Sequence, residues 1–118
     1  MGKVNLFRVK DQATHVLIEE MLCAKRFFQR LFGLLGKKML SESQALLIYR
    51  CGSIHTFGMR FNIDAIFINK DKEIIKIVEN IRPWRQASAK KSCFVLEMTE
   101  GLAEKLGLQI GDRLDWEE

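Results

Sequence analysis

The sequence predicts a mainly β protein, a single-domain antiparallel β-barrel or sandwich with two short helices. Short runs rich in Ile, Val and Phe recur along the chain and are separated by charged or Gly-containing turns. The 118 residues, 47% of them hydrophobic, suffice for one domain with a core and are too few for two. No internal repeat or linker interrupts the pattern. Residues 1–118 are therefore expected to form one domain.

The first half of the chain begins with alternation. The opening MGKVNLFRVK alternates apolar and polar residues, which predicts a strand. After the polar turn DQAT, HVLIEEMLCA fits either a second strand or the entry to a helix. Across residues 24–39 apolar side chains recur at spacings of three and four opposite Lys and Arg, which predicts the first helix, with Gly36 as its C-terminal stop. The run QALLIYRC then predicts another strand.

The second half contains the clearest hairpin, in which RFNIDAIFIN and EIIKIVE are joined by a charged turn at residues 70–72. The run NIRPWRQASAKKS holds the one proline, Pro83, and is predicted to be irregular. A strand at CFVLEM follows. Thr99 is expected to cap the second helix, through EGLAEKLG, and LQIGDRLDW is expected to turn at Gly-Asp into the last strand.

Composition narrows the class of protein. Nineteen Lys and Arg against 15 Asp and Glu give a net charge of +4, which favours anionic partners weakly. The three cysteines include no Cys-x2-Cys pair, so reduced thiols are expected rather than a disulfide framework. The sequence contains no transmembrane segment and no signal-peptide apolar region. We expect a cytoplasmic protein, or an exported one if an N-terminal signal was removed.

The stretch CGSIHTFGM places Cys51, His55 and Met59 at regular intervals, and His15 lies upstream. Type-1 copper sites use a thiolate, two imidazoles and a weak thioether. One hypothesis is therefore a copper-binding loop. The alternative is a structural histidine, because the residues after Met59 continue directly into a predicted strand.

Asp64 lies within the apolar run IDAIFI. Because burying an unpaired carboxylate is expensive, we expect Asp64 to pair with a cation such as Arg60 or Arg82, to accept several hydrogen bonds, or to line a ligand pocket. If the extended run reaches back far enough, strand alternation places Arg60 and Asp64 on one face and His55 and Met59 on the other.

The segment Arg82-Pro83-Trp84-Arg85, followed by Lys90 and Lys91, is the best candidate for binding an anion. An arginine offers a planar fork of donors and an indole offers a stacking surface, which suit a carboxylate, a phosphate or an unpaired base. The alternative is a solvated charged loop with the indole in the core. Glu97, within FVLEM, is a second candidate for a buried carboxylate.

These motifs together resemble one known family. FGLLGKKML, SIHTFGMRFNIDAIFINKDKEIIKI, IRPWR and VLEMTEGLAEKLGLQIGDRL occur in the order seen in domain-of-unknown-function family 192, from about residue 27 to 114. The resemblance implies a mostly β single domain with two small helices and no assigned activity. Its recurring positions fall on Gly33, Leu34, Gly36, His55, Met59, Asp64, Pro83, Trp84, Glu97, Gly101, Gly111 and Asp112.

The sequence thus predicts a non-enzymatic domain that binds a small anionic ligand or a protein partner in a mixed polar and aromatic cleft. No catalytic motif and no cofactor-binding fingerprint is found. The alternatives are a hydrolase that pairs His55 with a carboxylate, weak nucleic-acid binding through the basic loop 82–91, and the copper site. The expected cleft residues are His55, Met59, Arg60, Asp64, Arg82, Trp84, Arg85 and Glu97.

Overall fold

The computed structural model describes residues 2–24 and 44–117. These two ranges contain nine strands and one short helix. The strands are β1 (Gly2–Lys10), β2 (Ala13–Ala24), β3 (Ala45–Tyr49), β4 (Ser53–His55), β5 (Ile63–Ile68), β6 (Ile74–Ile81), β7 (Gln86–Ser88), β8 (Phe94–Thr99) and β9 (Arg113–Trp116), and the helix is α1 (Leu102–Lys105). The mainly β prediction is confirmed.

Seven strands form the main sheet, in the order β6-β5-β8-β3-β2-β1-β9. Its neighbours are antiparallel except for β2 and β3, which run parallel. The barrel alternative is wrong, because this sheet is not closed. Within the described ranges its edge strands meet at one end only, through the bridge between Glu73 and Arg113 and the 2.9 Å bond from Leu114 N to Lys72 O.

The main sheet is covered on both faces. Along β8, Leu96 and Met98 pack into one apolar cluster, whereas Val95 packs into another. All six residues of β5 are buried, because this strand lies in the interior of the sheet and has an apolar cluster on each side. We call the cluster that includes Leu96 the first core and the one that includes Val95 the second core.

Several predicted elements are confirmed. β5 and β6 form the expected antiparallel hairpin, and HVLIEEMLCA belongs to strand β2 rather than to a helix. The Gly-Asp turn precedes β9, where the Asp112 carboxylate accepts a 2.9 Å bond from Gln109 N. The first predicted helix lies outside the described residues, apart from Ala24, which ends β2.

Two local predictions are wrong. Helix α1 is capped by Gly101, whose φ of 87° suits glycine, whereas Thr99 still belongs to β8. The run NIRPWRQASAKKS is not wholly irregular, because it contains the end of β6 and all of β7. No helix within the described ranges has the length and apolar character needed to span a bilayer.

Candidate functional site

The small sheet of β4 and β7 is the foundation of the candidate site. Its antiparallel register pairs Ile54 with Ala87 and His55 with Gln86. Ile54 is buried in the second core, while the adjacent His55 is only half-buried. The small sheet therefore lies against the second core, and its outer side carries His55.

Thr56 joins the loop that follows β4 to the loop that precedes β7. Its side chain is fully buried, and its hydroxyl donates to Arg82 O at 2.7 Å and accepts from Arg85 N at 2.9 Å. Its backbone N–H donates to Arg85 O at 2.9 Å, and its carbonyl accepts from Trp84 N at 3.1 Å. These four bonds fix residues 82–85 against the end of β4.

Trp84 is exposed despite its large apolar ring. The residue is 64% exposed and its φ is 65°, in the left-handed region. This conformation costs an L-residue about 1–2 kcal/mol. Backbone strain of this kind concentrates at functional sites, where the surroundings enforce it. Here the bonds to Thr56 enforce it, and the result is an indole that faces solvent.

Three rings form a continuous surface, which we call the aromatic platform and define as His55, Phe57 and Trp84. Phe57 stacks on Trp84 with centroids 5.6 Å apart and planes 26° apart. The His55 ring lies 4.8 Å from Phe57 at a tilt of 40°, and His55 Nδ1 accepts a 3.3 Å bond from Phe57 N. Aromatic pairs of this kind stabilise each other while leaving ring faces available for a ligand.

The segments that form the small sheet are strongly cationic. Residues 50–62 and 82–92 contain six Lys and Arg, all exposed, and no Asp or Glu. The rest of the chain keeps 13 of the 19 cations with all 15 acids, so it is net negative by two while the chain as a whole is +4. We call this set the cationic rim: Arg50, Arg60, Arg82, Arg85, Lys90 and Lys91.

Asp64 is held by backbone hydrogen bonds inside the fold. Its carboxylate is fully buried and accepts backbone bonds from Asn80 N at 2.9 Å, Gly101 N at 3.0 Å and Ala103 N at 3.1 Å. Backbone amides, rather than Arg60 or Arg82, therefore compensate this charge. The carboxylate ties β5 to the end of β6 and to the start of helix α1.

Glu97 has the opposite environment. Its side chain is fully buried, and neither carboxyl oxygen has a hydrogen-bond partner within the described residues. Strand alternation places it beside Val95, toward the second core. Burial raises the pKa of Glu97 well above its ordinary value, because the interior disfavours the charged form.

Cys51 and Met59 also belong to the second core. The Cys51 thiol donates to Ser53 O at 2.9 Å. Burial raises the pKa of Cys51, the bond to Ser53 opposes this shift, and the charge of Glu97 adds to it. Cys51 is therefore held as a neutral thiol, which is a poor nucleophile and a poor metal ligand.

The structure divides the predicted site residues into two groups. His55 and Trp84 belong to the aromatic platform, Arg82 and Arg85 are exposed in the loop that carries Trp84, and Arg60 is exposed in the loop that follows Phe57. The others are fully or almost fully buried: Met59, Asp64 and Glu97. The sequence does not single out Thr56 or the platform role of Phe57, because both depend on contacts between separated segments. Residues 56–62 do not form a strand, so the alternation considered for a longer extended run does not apply to them.

The copper and hydrolase hypotheses receive little support from this geometry. Within the described ranges, no group of three or more His, Cys, Asp and Glu residues could hold a metal ion. Cys51 and Met59 face the second core, whereas the His55 ring packs on the exposed Phe57. Asp64, one of the carboxylates proposed to assist His55, accepts three backbone bonds instead. The arrangement is suited to stacking and to charge attraction.

Relatives of the chain are found among archaeal proteins. A UPF0127 protein of Pyrococcus furiosus is 33% identical over 101 residues, which cover 82% of this chain and 86% of that protein. A UPF0127 protein of Pyrococcus abyssi is 30% identical over 97 residues, covering 79% of this chain and 82% of the relative.

Two solved structures share the fold. A protein of unknown function from Novosphingobium aromaticivorans superposes with a TM-score of 0.76 at 22% identity, covering 95% of this chain and 84% of the other. A proposed transcription regulator from Sinorhizobium meliloti gives a TM-score of 0.77 at 24% identity, covering 97% and 93%. The family DUF192, described as "Uncharacterized ACR", matches residues 7–116. The chain therefore belongs to the DUF192 family.

Proposed function

We propose that this chain is a non-enzymatic binding domain, and that the aromatic platform and cationic rim bind an anionic ligand or partner. One observation carries the proposal: a solvent-facing Trp84 is held in a strained backbone conformation between Arg82 and Arg85, within two segments that carry six exposed cations and no acid. Fold stability does not require this exposed indole, because most of its surface contacts solvent. A ligand would supply the missing contact.

The positive charge of the cationic rim favours a negatively charged ligand. Arg82 and Arg85 flank Trp84, and the hydrogen bonds of Thr56 fix the backbone that carries both guanidinium groups. A guanidinium can bind a carboxylate or a phosphate through two parallel hydrogen bonds. Because these side chains are exposed, we expect binding that weakens as salt screens the charges.

Tryptophan fluorescence provides the test. Trp84 is 64% exposed and Trp116 only 3%, so quenching by the neutral molecule acrylamide reports mainly on Trp84. We expect tripolyphosphate or a hexa-aspartate peptide to protect Trp84 from quenching at low ionic strength. The double variant Arg82→Ala with Arg85→Ala should bind either probe at least about five-fold more weakly, because two charge-assisted contacts are lost.

A matched control removes two charges elsewhere. Lys3 and Lys10 are exposed on β1 of the main sheet, so replacing both by alanine causes the same change in net charge. This control should bind the probes as the native protein does. The proposal fails if neither probe protects Trp84 at low ionic strength, or if both double variants weaken binding equally.

A further inference from the structure

We infer that the anionic ligand of this surface is a single-stranded nucleic acid, with a base stacked on Trp84 and phosphates bound along the cationic rim. The inference rests on the proposed function, because it requires that the surface bind anions. It adds the chemical class of the ligand. Three features support it: the geometry of the rings, the length of the cationic rim and the rigidity of the platform.

The rings are arranged for stacking. Phe57 covers one side of the Trp84 indole at 5.6 Å, and the indole nevertheless remains 64% exposed. A planar base can extend this stack on the uncovered surface, and every base has such a planar face. The His55 ring also contacts Phe57, at 4.8 Å. The platform thus offers stacking contacts without selecting a particular base.

The cationic rim is elongated. Arg85 lies at one end of β7, and Lys90 and Lys91 lie beyond its other end. The three residues of β7 correspond to about 10 Å of extended chain, and Lys90 and Lys91 lie in the turn that the bond from Ser92 N to Ala89 O closes. A nucleic-acid strand carries several phosphates over this length. No Asp or Glu occurs in either segment of the small sheet.

The platform favours a single strand over a duplex or a membrane. In a duplex the bases already stack on one another, so an exposed indole has no free base face to contact. Interfacial aromatic residues in membrane-binding proteins insert their apolar surface into the lipid. Here four backbone and hydroxyl bonds from Thr56 fix the loop, and the Trp84 ring lies nearly parallel to Phe57. This geometry fits a stacked ligand.

The test compares two strands of equal charge. Fluorescence anisotropy would measure the binding of a labelled decathymidylate and of an abasic strand with the same number of phosphates. We expect the thymidylate to bind about ten-fold more tightly, because stacking on one exposed ring contributes that much per base. Trp84→Ala should abolish the difference, whereas Trp84→Phe should keep part of it.

A second readout concerns charge. The logarithm of affinity should fall linearly with the logarithm of salt concentration, and Arg82→Ala or Arg85→Ala should each reduce the slope by about 0.7. Ile110→Ala is the control, because Ile110 is a 69% exposed apolar residue outside the small sheet. This control should leave both the affinity and the slope unchanged.

The outcomes separate the inference from the proposed function. Equal binding of the thymidylate and the abasic strand would overturn the nucleic-acid inference while leaving anion binding in place. Failure of tripolyphosphate, hexa-aspartate and both strands would overturn both proposals. Protection of Trp84 by phosphatidylserine vesicles, with no thymidylate binding, would identify a membrane surface as the partner and would also overturn the inference.

Discussion

The main sheet and the small sheet differ in where their energetically unfavourable residues lie. Those of the main sheet are buried, whereas that of the small sheet is exposed. The main sheet buries two carboxyl groups, Asp64 and Glu97, with no exposed surface. The small sheet instead exposes a tryptophan and holds its backbone at a φ of 65°. A buried charge must be compensated inside the fold, whereas an exposed ring can be satisfied from outside. The small sheet is therefore the region to search for a ligand.

The main sheet contains a second contrast within itself. Asp64 and Glu97 lie on the neighbouring strands β5 and β8, where Asp64 pairs with Met98 and Ala65 pairs with Glu97. Their side chains point to opposite faces, because Ala65 and Val95 face the second core and Ile66 and Leu96 face the first. Asp64 accepts three backbone bonds and Glu97 has no hydrogen-bond partner within the described residues, so substitutions at the two positions should change stability in opposite directions.

Asp64→Ala should have the largest effect. The substitution leaves three backbone N–H groups without their acceptor, at Asn80, Gly101 and Ala103. Because hydrogen bonds to a charged group contribute about 1.5–3 kcal/mol each and are not additive, we expect the free energy of unfolding to fall by at least about 3 kcal/mol. Urea denaturation followed by circular dichroism would measure this loss.

Asp64→Asn is the control for this prediction. It keeps the size of the side chain and one carbonyl acceptor, so its loss should be smaller than that of Asp64→Ala. A loss below about 1 kcal/mol for the alanine variant would show that water or other groups replace the carboxylate, and the contrast with Glu97 would disappear.

Glu97→Leu should stabilise the protein by about 1–3 kcal/mol at neutral pH, because it replaces a buried carboxyl that has no described hydrogen-bond partner. The gain depends on pH. Above the ordinary pKa of about 4.5 the unfolded chain releases the Glu97 proton, whereas the folded protein retains it because burial raises its pKa. The contribution of Glu97 to the free energy of unfolding is therefore fully present below about pH 4.5, and it is lost as the pH rises through the pKa of the folded protein.

Urea denaturation at about pH 4.5 and at mildly alkaline pH would check the sign of this effect. The difference in unfolding free energy between Glu97→Leu and the native protein should increase with pH over this window. A constant difference would show that Glu97 titrates normally when folded. A loss of stability at every pH would show that Glu97 is as well compensated as Asp64.

The smallest effect on stability is expected from Trp84→Gly and Trp84→Ala, which test the loop beside the small sheet. Both variants remove the ring, so both should bind the labelled thymidylate no more tightly than the abasic strand. They differ in the backbone, since only glycine adopts a φ of 65° without strain. We expect Trp84→Gly to be more stable than Trp84→Ala by about 1 kcal/mol in thermal unfolding. Equal stabilities would mean that the loop relaxes to an ordinary conformation once the indole is gone.

The fold was largely predictable where periodicity extends over several residues. The hairpin of β5 and β6 and the strand β8 follow from dense runs of Ile, Val and Phe, and the Gly-Asp turn precedes β9 as expected. The three-residue strands β4 and β7 were missed, because so few positions cannot show alternation. The parallel pairing of β2 with β3 and the open sheet depend on contacts distant in sequence, which no local pattern reports.

The candidate site was predictable in its chemistry and not in its geometry. The sequence indicated an anion-binding loop around Trp84, and this stays a prediction. The exposure of the indole contradicts only the alternative in which it fills the core. The need to compensate Asp64 was also evident. Its partners are backbone amides, which any sequence possesses, so residue types could not reveal them. The left-handed backbone conformation of Trp84 likewise cannot be predicted from the sequence, because it depends on hydrogen bonds to the buried Thr56.

The position of β9 has a consequence for how the protein folds. This strand pairs along β1, with Leu6 opposite Trp116, and the turn before it contacts the start of β6 through the 2.9 Å bond from Ile74 N to Asp112 O. Contacts between residues so distant in sequence form slowly, because a long loop must close first. During synthesis the edge of β1 that pairs with β9 stays unpaired until β9 has emerged, and an unpaired edge of this kind can pair with another chain.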